Sequence, residues 1–204
     1  MVQSPARSAL TFDQFLEAYP DDQGRYELVN GEIVDMRAIR WHDDIADGLI
    51  RLFERQTTVL DYRVTGRLVL GTTTVGGQQQ GRHPDVSVVS QAQWRSNRLT
   101  YAALDEPIQL AVEVVSTNWE DDHEDDYVDK LDEYQRLGVA EYWIVDYLAI
   151  ASRSYLGNPK RPTTFVHLLN EQGRYETKAY VADEHILSAT FPQLDLTMNQ
   201  ILEI

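Results

Sequence analysis

The chain has 204 residues, 43% of them hydrophobic and 25% charged, with no cysteine and a formal net charge of −15. That composition suits a globular protein able to bury a core, excludes disulfides and thiolate metal sites, and fits a reducing, cytoplasmic setting. The negative balance argues against broad, sequence-independent binding to nucleic acid, which neutralises phosphates with Lys and Arg, yet it leaves room for a local basic groove or a site whose charge comes from bound cations.

Residues 1–10 read as a flexible leader and 11–204 as a single domain. The N-terminus carries no apolar signal region, and no window approaches the length of a membrane span. Thr11 with Gln14 forms a capping box, and Phe12, Phe15, Leu16 and Tyr19 give a short helix one apolar face that ends near Pro20. Two alternating segments, about Arg25–Val29 and Glu32–Met36, flank Asn30-Gly31, the pair that suits a hairpin turn with positive φ at both central residues. Ile45, Leu49, Leu52 and Phe53 recur at helical spacing within Trp41–Gln56, and His42 begins that apolar face. A strand is expected over Tyr62–Leu70, then a polar, glycine-rich connector over Gly71–Gly81 that lacks the lysine of a P-loop.

Asp85–Ser90 reads as a short strand and Gln91–Arg98 as a helical turn. Ile108–Ser116 is apolar without alternation, as befits a strand covered on both faces, except that Glu113 interrupts it. Asp122–Leu137 is a helix stopped by Gly138, and Glu141–Tyr147 a second buried strand. Ala151–Leu156, Thr163–Leu169 and Arg174–Val181 read as an antiparallel continuation, and Thr197 caps a terminal helix. The sum is an α/β (α+β) fold with a mixed sheet and flanking helices.

A carboxylate inside an apolar strand is costly unless a metal ion or a lysine pairs with it. Asp85, which follows Pro84, and Glu113 could share a hard cation such as Mg²⁺. Lys130 on the following helix could then orient a nucleophile or stabilise charge on a phosphate. On these residues alone a turn aspartate plus one paired strand glutamate is the commoner reading, since structural ion pairs are common. Asp126, Lys130 and Tyr134 are four apart and share a helical face, which also describes an ordinary solvated pair. The acidic run Glu120–Asp126 suits a helix N-terminus. Glu27 lies in an otherwise apolar strand and is either a third acid of one site or an outward residue. The five histidines include no H-x-x-x-H pair, and no serine sits in a G-x-S-x-G setting.

The segments FDQFLEAYP, RYELVNGEIVDM, RHPDVSVVS, LAVEVVS and DYVDKLDEYQRLGVAEYWIVD together resemble the Uma-type family of restriction-endonuclease-like proteins, a branch of the PD-(D/E)XK nuclease superfamily. The resemblance runs from Thr11 to about Tyr155. It implies a restriction-endonuclease-like core and an Mg²⁺- or Mn²⁺-dependent endonuclease acting on nucleic acid, DNA above all. It implies that Asp85 and Glu113 bind the metal with Glu27 assisting, and that the lysine, displaced from the position of Val115, is Lys130. His42 matches a family position near the site, as do Asp126 and Tyr134, and Arg82 could contact a phosphate. By analogy with enzymes that cut two strands, a homodimer would suit the function. The acidic run departs from the family pattern and opposes approach of DNA from that side. The competing expectation is a non-catalytic interaction module that keeps the fold and binds a protein partner or itself.

Overall fold

The structure of the protein is a computed structural model that describes residues 9–22, 24–36, 39–57, 61–96, 102–116 and 125–204. Most of the leader and the acids from Glu120 to Glu124 lie outside the described residues, as does the end of the helix expected to reach Arg98.

Local chemistry sets the first elements. Thr11 Oγ accepts the N–H of Gln14 at 3.2 Å and its own N–H donates to Gln14 Oε1 at 2.9 Å, closing the capping box of α1 (Phe12–Glu17). Asn30 and Gly31, with φ of 52° and 86°, join β1 (Tyr26–Val29) to β2 (Glu32–Asp35). The helix α2 (Arg40–Gln56) buries Ile45, Leu49 and Phe53 completely, each contributing about 1.5–3 kcal/mol by transfer from water.

The run Tyr62–Leu70 is not one strand. It divides into β3 (Tyr62–Thr65) and β4 (Val69–Thr73), which belong to different sheets. The break falls at Gly66, where a Cβ would lie 2.9 Å from the carbonyl oxygen of Asp85. The glycine-rich stretch that follows is also not a mere connector, because β4 pairs antiparallel with β5 (Gln79–Arg82). Its glycines admit the rings of α1: a Cβ on Gly71 or Gly81 would come within 2.9 Å of Phe12 or Phe15 respectively.

Next come β6 (Val86–Ser90), α3 (Gln91–Ser96), the short β7 (Ala103–Leu104) and β8 (Leu110–Val114). A π-helical turn at Asp125–Asp129 leads into α4 (Lys130–Leu137), which ends on Gly138 at φ 91°, and then β9 (Glu141–Asp146). The strand expected at Ala151–Leu156 is instead the short helix α5 (Arg153–Leu156). Asp146 accepts the N–H groups of Ile150 and Ala151 at 3.1 and 3.0 Å, which folds the chain back after β9 and prevents an extended continuation. The antiparallel pair β10 (Thr163–Leu169) and β11 (Tyr175–Val181) follows, then α6 (Met198–Leu202), capped by Thr197 and Gln200.

Two mixed sheets result, in the orders β2-β1-β5-β4-β7 and β11-β10-β9-β8-β6-β3. In the second, β8 and β9 run parallel, with α4 between them in sequence. Both faces of β8 are covered. Leu110, Val112 and Val114 join the core under α2, and Ala111 and Val115 join the core that contains Tyr134 of α4. Glu113 therefore occupies a position that its neighbours' alternation assigns to the second core.

Candidate active site

Glu113 stands at the end of β8 and is 3% exposed. Its Oε2 is 3.1 Å from Lys130 Nζ, and its Oε1 accepts the Tyr134 hydroxyl at 2.7 Å. Both partners come from α4, where their spacing of four puts them on one face. The site thus forms where a parallel strand ends and the helix after it begins, the usual place for chemistry in open α/β sheets.

Asp85 arrives from the other side. The antiparallel register pairs Val86 with Val112, so the next step sets Asp85 opposite Glu113. The Asp85 carboxylate accepts the Val114 N–H at 2.8 Å, contacts His42 Nε2 at 3.1 Å and pairs with Arg25 Nη1 at 3.0 Å. Burial works to raise its pKa, but His42, the Val114 amide and Arg25 outweigh burial and hold it below the ordinary range. His42 responds in kind. Burial lowers its pKa, Asp85 and Asp43 more than reverse this, and the net direction is upward.

Glu27 of β1 is fully buried and not outward-facing. Its oxygens accept the His83 N–H at 3.0 Å and Arg82 Nη1 at 3.2 Å, and lie 3.3 Å from Lys130 Nζ. Burial pushes its pKa up, while Lys130, Arg82 and the His83 amide carry it below the usual value. Lys130 is 3% exposed and, among the described residues, touches the carboxylates of Glu27, Glu113 and Asp126, the last at 3.1 Å. The structure thus brings Asp85, Glu113, Lys130, Glu27 and His42 into one electrostatic cluster of two hydrogen-bonded groups: Glu27, Asp126 and Glu113, the last also bound by Tyr134, surround Lys130, and Asp85 with His42 stands beside them, its charge acting on Glu113 through space. Lys130 lies inside it, not at the rim of a solvated face.

Arg82 is not open to a phosphate. It is 2% exposed, grips Glu133 through Nε at 2.8 Å and Nη2 at 2.9 Å, and bridges to Glu27. Thr72 adds a hydroxyl bond to Glu133 at 2.6 Å. Arg25, Glu133 and Thr72 were not singled out from the sequence. Glu133 did offer a signal, since it lies three residues after Lys130 on the same helix.

Among the described residues five carboxylates, those of Glu27, Asp85, Glu113, Asp126 and Glu133, face the cations of Arg25, Arg82 and Lys130 and the His42 imidazole. The excess of negative charge falls on Glu113. Burial first, then Asp126, Asp85 and Glu27, push its pKa well above the ordinary value against the opposing pull of Lys130. Asp126 is raised too, by burial and by the same neighbours, with Lys130 opposing. Among the described residues no group of three or more acidic or imidazole side chains is arranged to hold a metal. Mg²⁺ needs less than that, because it keeps several waters and takes one or two carboxylates. The carboxylate oxygens of Asp85 and Glu113 are of the chemistry such an ion takes, and Glu113 now spends both of its oxygens on Lys130 and Tyr134.

Fold and cluster together define a mixed α+β protein with an acid–lysine centre at the end of its central parallel strands. The chain belongs to the Uma2 family, described as "Putative restriction endonuclease", whose profile matches residues 12–199. It is also similar in fold to the crystal structure of "a putative nuclease belonging to DUF820" from Anabaena variabilis, with a TM-score of 0.68 at 15% identity, over 95% of this chain and 98% of that one. No curated protein matches the chain. Among the described residues no helix is long and apolar enough to cross a membrane.

Proposed function

We propose that the protein is a nuclease that hydrolyses phosphodiester bonds in nucleic acid, DNA above all, with Mg²⁺ or Mn²⁺ held by Asp85 and Glu113 and assisted by Glu27. The family and the fold support a nuclease. The observation that carries the chemistry is the convergence of these acids with Lys130 in a cluster that holds more buried negative than positive charge.

A bound cation would supply Lewis acidity and a water of lowered pKa. The chain's own residues do the rest. His42, Arg25 and the Val114 amide fix the Asp85 carboxylate in its ionised form. Tyr134 orients Glu113. Glu27 and Asp126 hold the Lys130 ammonium independently of Glu113, so that Lys130 would stay in place to orient the attacking water or to stabilise charge growing on the phosphate if Glu113 were to hold a cation. Arg82 and Glu133 brace Glu27 from behind.

Purified protein should cleave single- or double-stranded substrates with Mg²⁺ or Mn²⁺ and not with EDTA, Asp85→Ala should abolish cleavage, and Lys130→Ala should lower it by about 10²–10³-fold. Cleavage at the wild-type level in either variant sinks this active site.

The ion pair between Glu113 and Lys130 favours a second reading, a non-catalytic module in which the lysine fills the cation's place for good. Calorimetric titration with Mn²⁺ separates the two. Binding that disappears in Glu113→Gln supports the nuclease, and no binding to the wild type supports the module.

A further inference from the structure

Among the described residues a cavity of about 410 Å³ opens beside Asp85. Three residues of its lining reach that acid. Arg25 Nη1 pairs with the carboxylate at 3.0 Å. Gly66 lies so close that a Cβ on it would stand 2.9 Å from the Asp85 carbonyl oxygen. His83 precedes Asp85 by two residues, and its backbone N–H is the one that Glu27 accepts at 3.0 Å. One wall of the cavity is therefore built from the contacts of the site itself.

The lining is mixed in character. Leu16, Tyr19 and Val69 belong to the small core that packs around Phe15, and they give the cavity an apolar wall. Arg67 follows Gly66, is exposed, and makes no ion pair among the described residues. Arg25 is half-buried and spends Nη1 on Asp85, which leaves it further N–H donors to offer. His83 is 8% exposed, and its buried Nδ1 has no hydrogen-bond partner among the described residues. An unmet polar atom on a cavity wall calls for an occupant that can hydrogen-bond. Two acids share the lining. Asp22 is engaged, accepting the Gly24 N–H at 2.6 Å and the Tyr26 hydroxyl at 2.8 Å, whereas Asp21 is exposed.

We infer that this cavity is a subsite for one unpaired nucleotide of the substrate strand, with its phosphate on Arg25 and Arg67 and its base against Leu16, Tyr19 and Val69. The inference rests on the phosphodiesterase reading of the Asp85 site and adds the form that the substrate takes beside it. A bare anion would use the arginines alone and would be repelled by Asp21. A purely apolar ligand would leave His83 Nδ1 unmet. A nucleotide uses the whole lining: cations for the phosphate, an apolar wall for the base, and polar groups for its edge. The volume lies in the range of about 300–1,000 Å³ usual for a small-ligand pocket, and a base seated in such a pocket has left its pair. Arg25 links the two places, because the same guanidinium would touch the seated phosphate and the acid of the catalytic centre.

The test is calorimetric titration of the whole chain with dTMP, thymidine and inorganic phosphate, each to millimolar concentrations. EDTA is present, so that neither metal nor cleavage enters. The nucleotide should bind at least about tenfold more tightly than either of its halves. Arg67→Ala should weaken dTMP by about tenfold, and His83→Phe, which keeps a ring and removes Nδ1, by about fivefold. Arg67 is exposed, so its variant carries the test if the His83→Phe chain does not fold. Arg174→Ala, in the β10–β11 turn, should change nothing. Tetrathymidylate should displace dTMP, and a duplex at equal nucleotide concentration should not. Absence of dTMP binding, phosphate that binds as tightly as dTMP, displacement by the duplex as readily as by the single strand, or wild-type affinity in Arg67→Ala overturns the inference. If Asp85-dependent cleavage persists in that case, the nuclease reading stands and the subsite alone fails. If dTMP binds as expected but no substrate is cut with Mg²⁺ or Mn²⁺, the nucleotide site stands and the nuclease reading fails.

Discussion

Glu113 and Glu141 are both buried glutamates on neighbouring parallel strands, three register steps apart, and their surroundings differ in kind. Glu141 is fully buried and accepts from Trp143 Nε1 at 2.6 Å, the Thr190 N–H at 2.7 Å and the Ser188 hydroxyl at 3.1 Å. All three donors are neutral, and those of Ser188 and Thr190 fasten the segment around residues 188–190 to the sheet. Glu113 is held by a lysine and a tyrosine but lies within the field of Glu27, Asp85 and Asp126. One acid is a closed structural joint. The other sits in a cluster with negative charge to spare. Burial of a carboxylate is common to both, so burial alone does not mark chemistry. What separates the two is the uncompensated charge beside a lysine.

The comparison breaks most readily at Glu141. Glu141→Ala strands three donors, two of them buried, and the loss should reach about 4 kcal/mol of stability. Chemical denaturation reads it. Cleavage per folded molecule should stay at the wild-type level, and a parallel loss of cleavage would move Glu141 into the site. Lys130→Ala carries the next largest effect. Cleavage should fall by about 10²–10³-fold, equivalent to about 3–4 kcal/mol of transition-state stabilisation. Circular dichroism at the assay temperature must show the variant folded, because removing the cation leaves Glu27, Glu113 and Asp126 facing one another.

The parts of this molecule legible in the sequence are those decided by neighbours in the chain. The Thr11–Gln14 cap, the Asn30-Gly31 turn and the Gly138 stop each follow from a few adjacent residues. Glu113 was legible because one acid in an apolar run is conspicuous at any fold. The motifs around Asp85 and Lys130 then supplied its partners. What was illegible depends on contacts far apart in sequence. Arg82 reads as an exposed neighbour of a turn until Glu133, 51 residues away, is seen to hold it. Gly71 and Gly81 read as loop residues because glycine is depleted in strands and β5, Gln79–Arg82, has little β propensity of its own. Packing of Phe12 and Phe15 against them supplies the reason for the strands. The split at Gly66 depends on the Asp85 carbonyl, which no local window contains.

Glu113→Gln sharpens the contrast by reversing the sign seen at Glu141. Cleavage should be lost, yet in EDTA the variant should be at least as stable as wild type near neutral pH. The wild-type pKa is raised on folding, so the folded state binds more protons than the unfolded state between the two pKa values, and stability falls as pH rises through that window. The glutamine removes this penalty. Its advantage should therefore shrink as pH is lowered toward the ordinary glutamate range. Denaturation curves at several pH values measure this, and an advantage that grows toward acid pH would overturn the assignment of excess charge to Glu113.

Tyr134→Phe is the mildest of these changes. It deletes one hydroxyl donor, 2.7 Å from Glu113 Oε1, and keeps a ring to pack edge-on against Tyr142, whose centroid is 5.0 Å away. The expected stability change is about 1 kcal/mol. The more telling readout is the acid limb of the cleavage pH profile. A hydrogen bond to the charged carboxylate favours ionisation, so its loss raises the Glu113 pKa further. The limb should move to higher pH, and activity on the alkaline side should stay close to wild type. A limb that does not move, or moves to lower pH, would mean that a group other than Glu113 sets it. The Glu141 comparison would then lose its catalytic half.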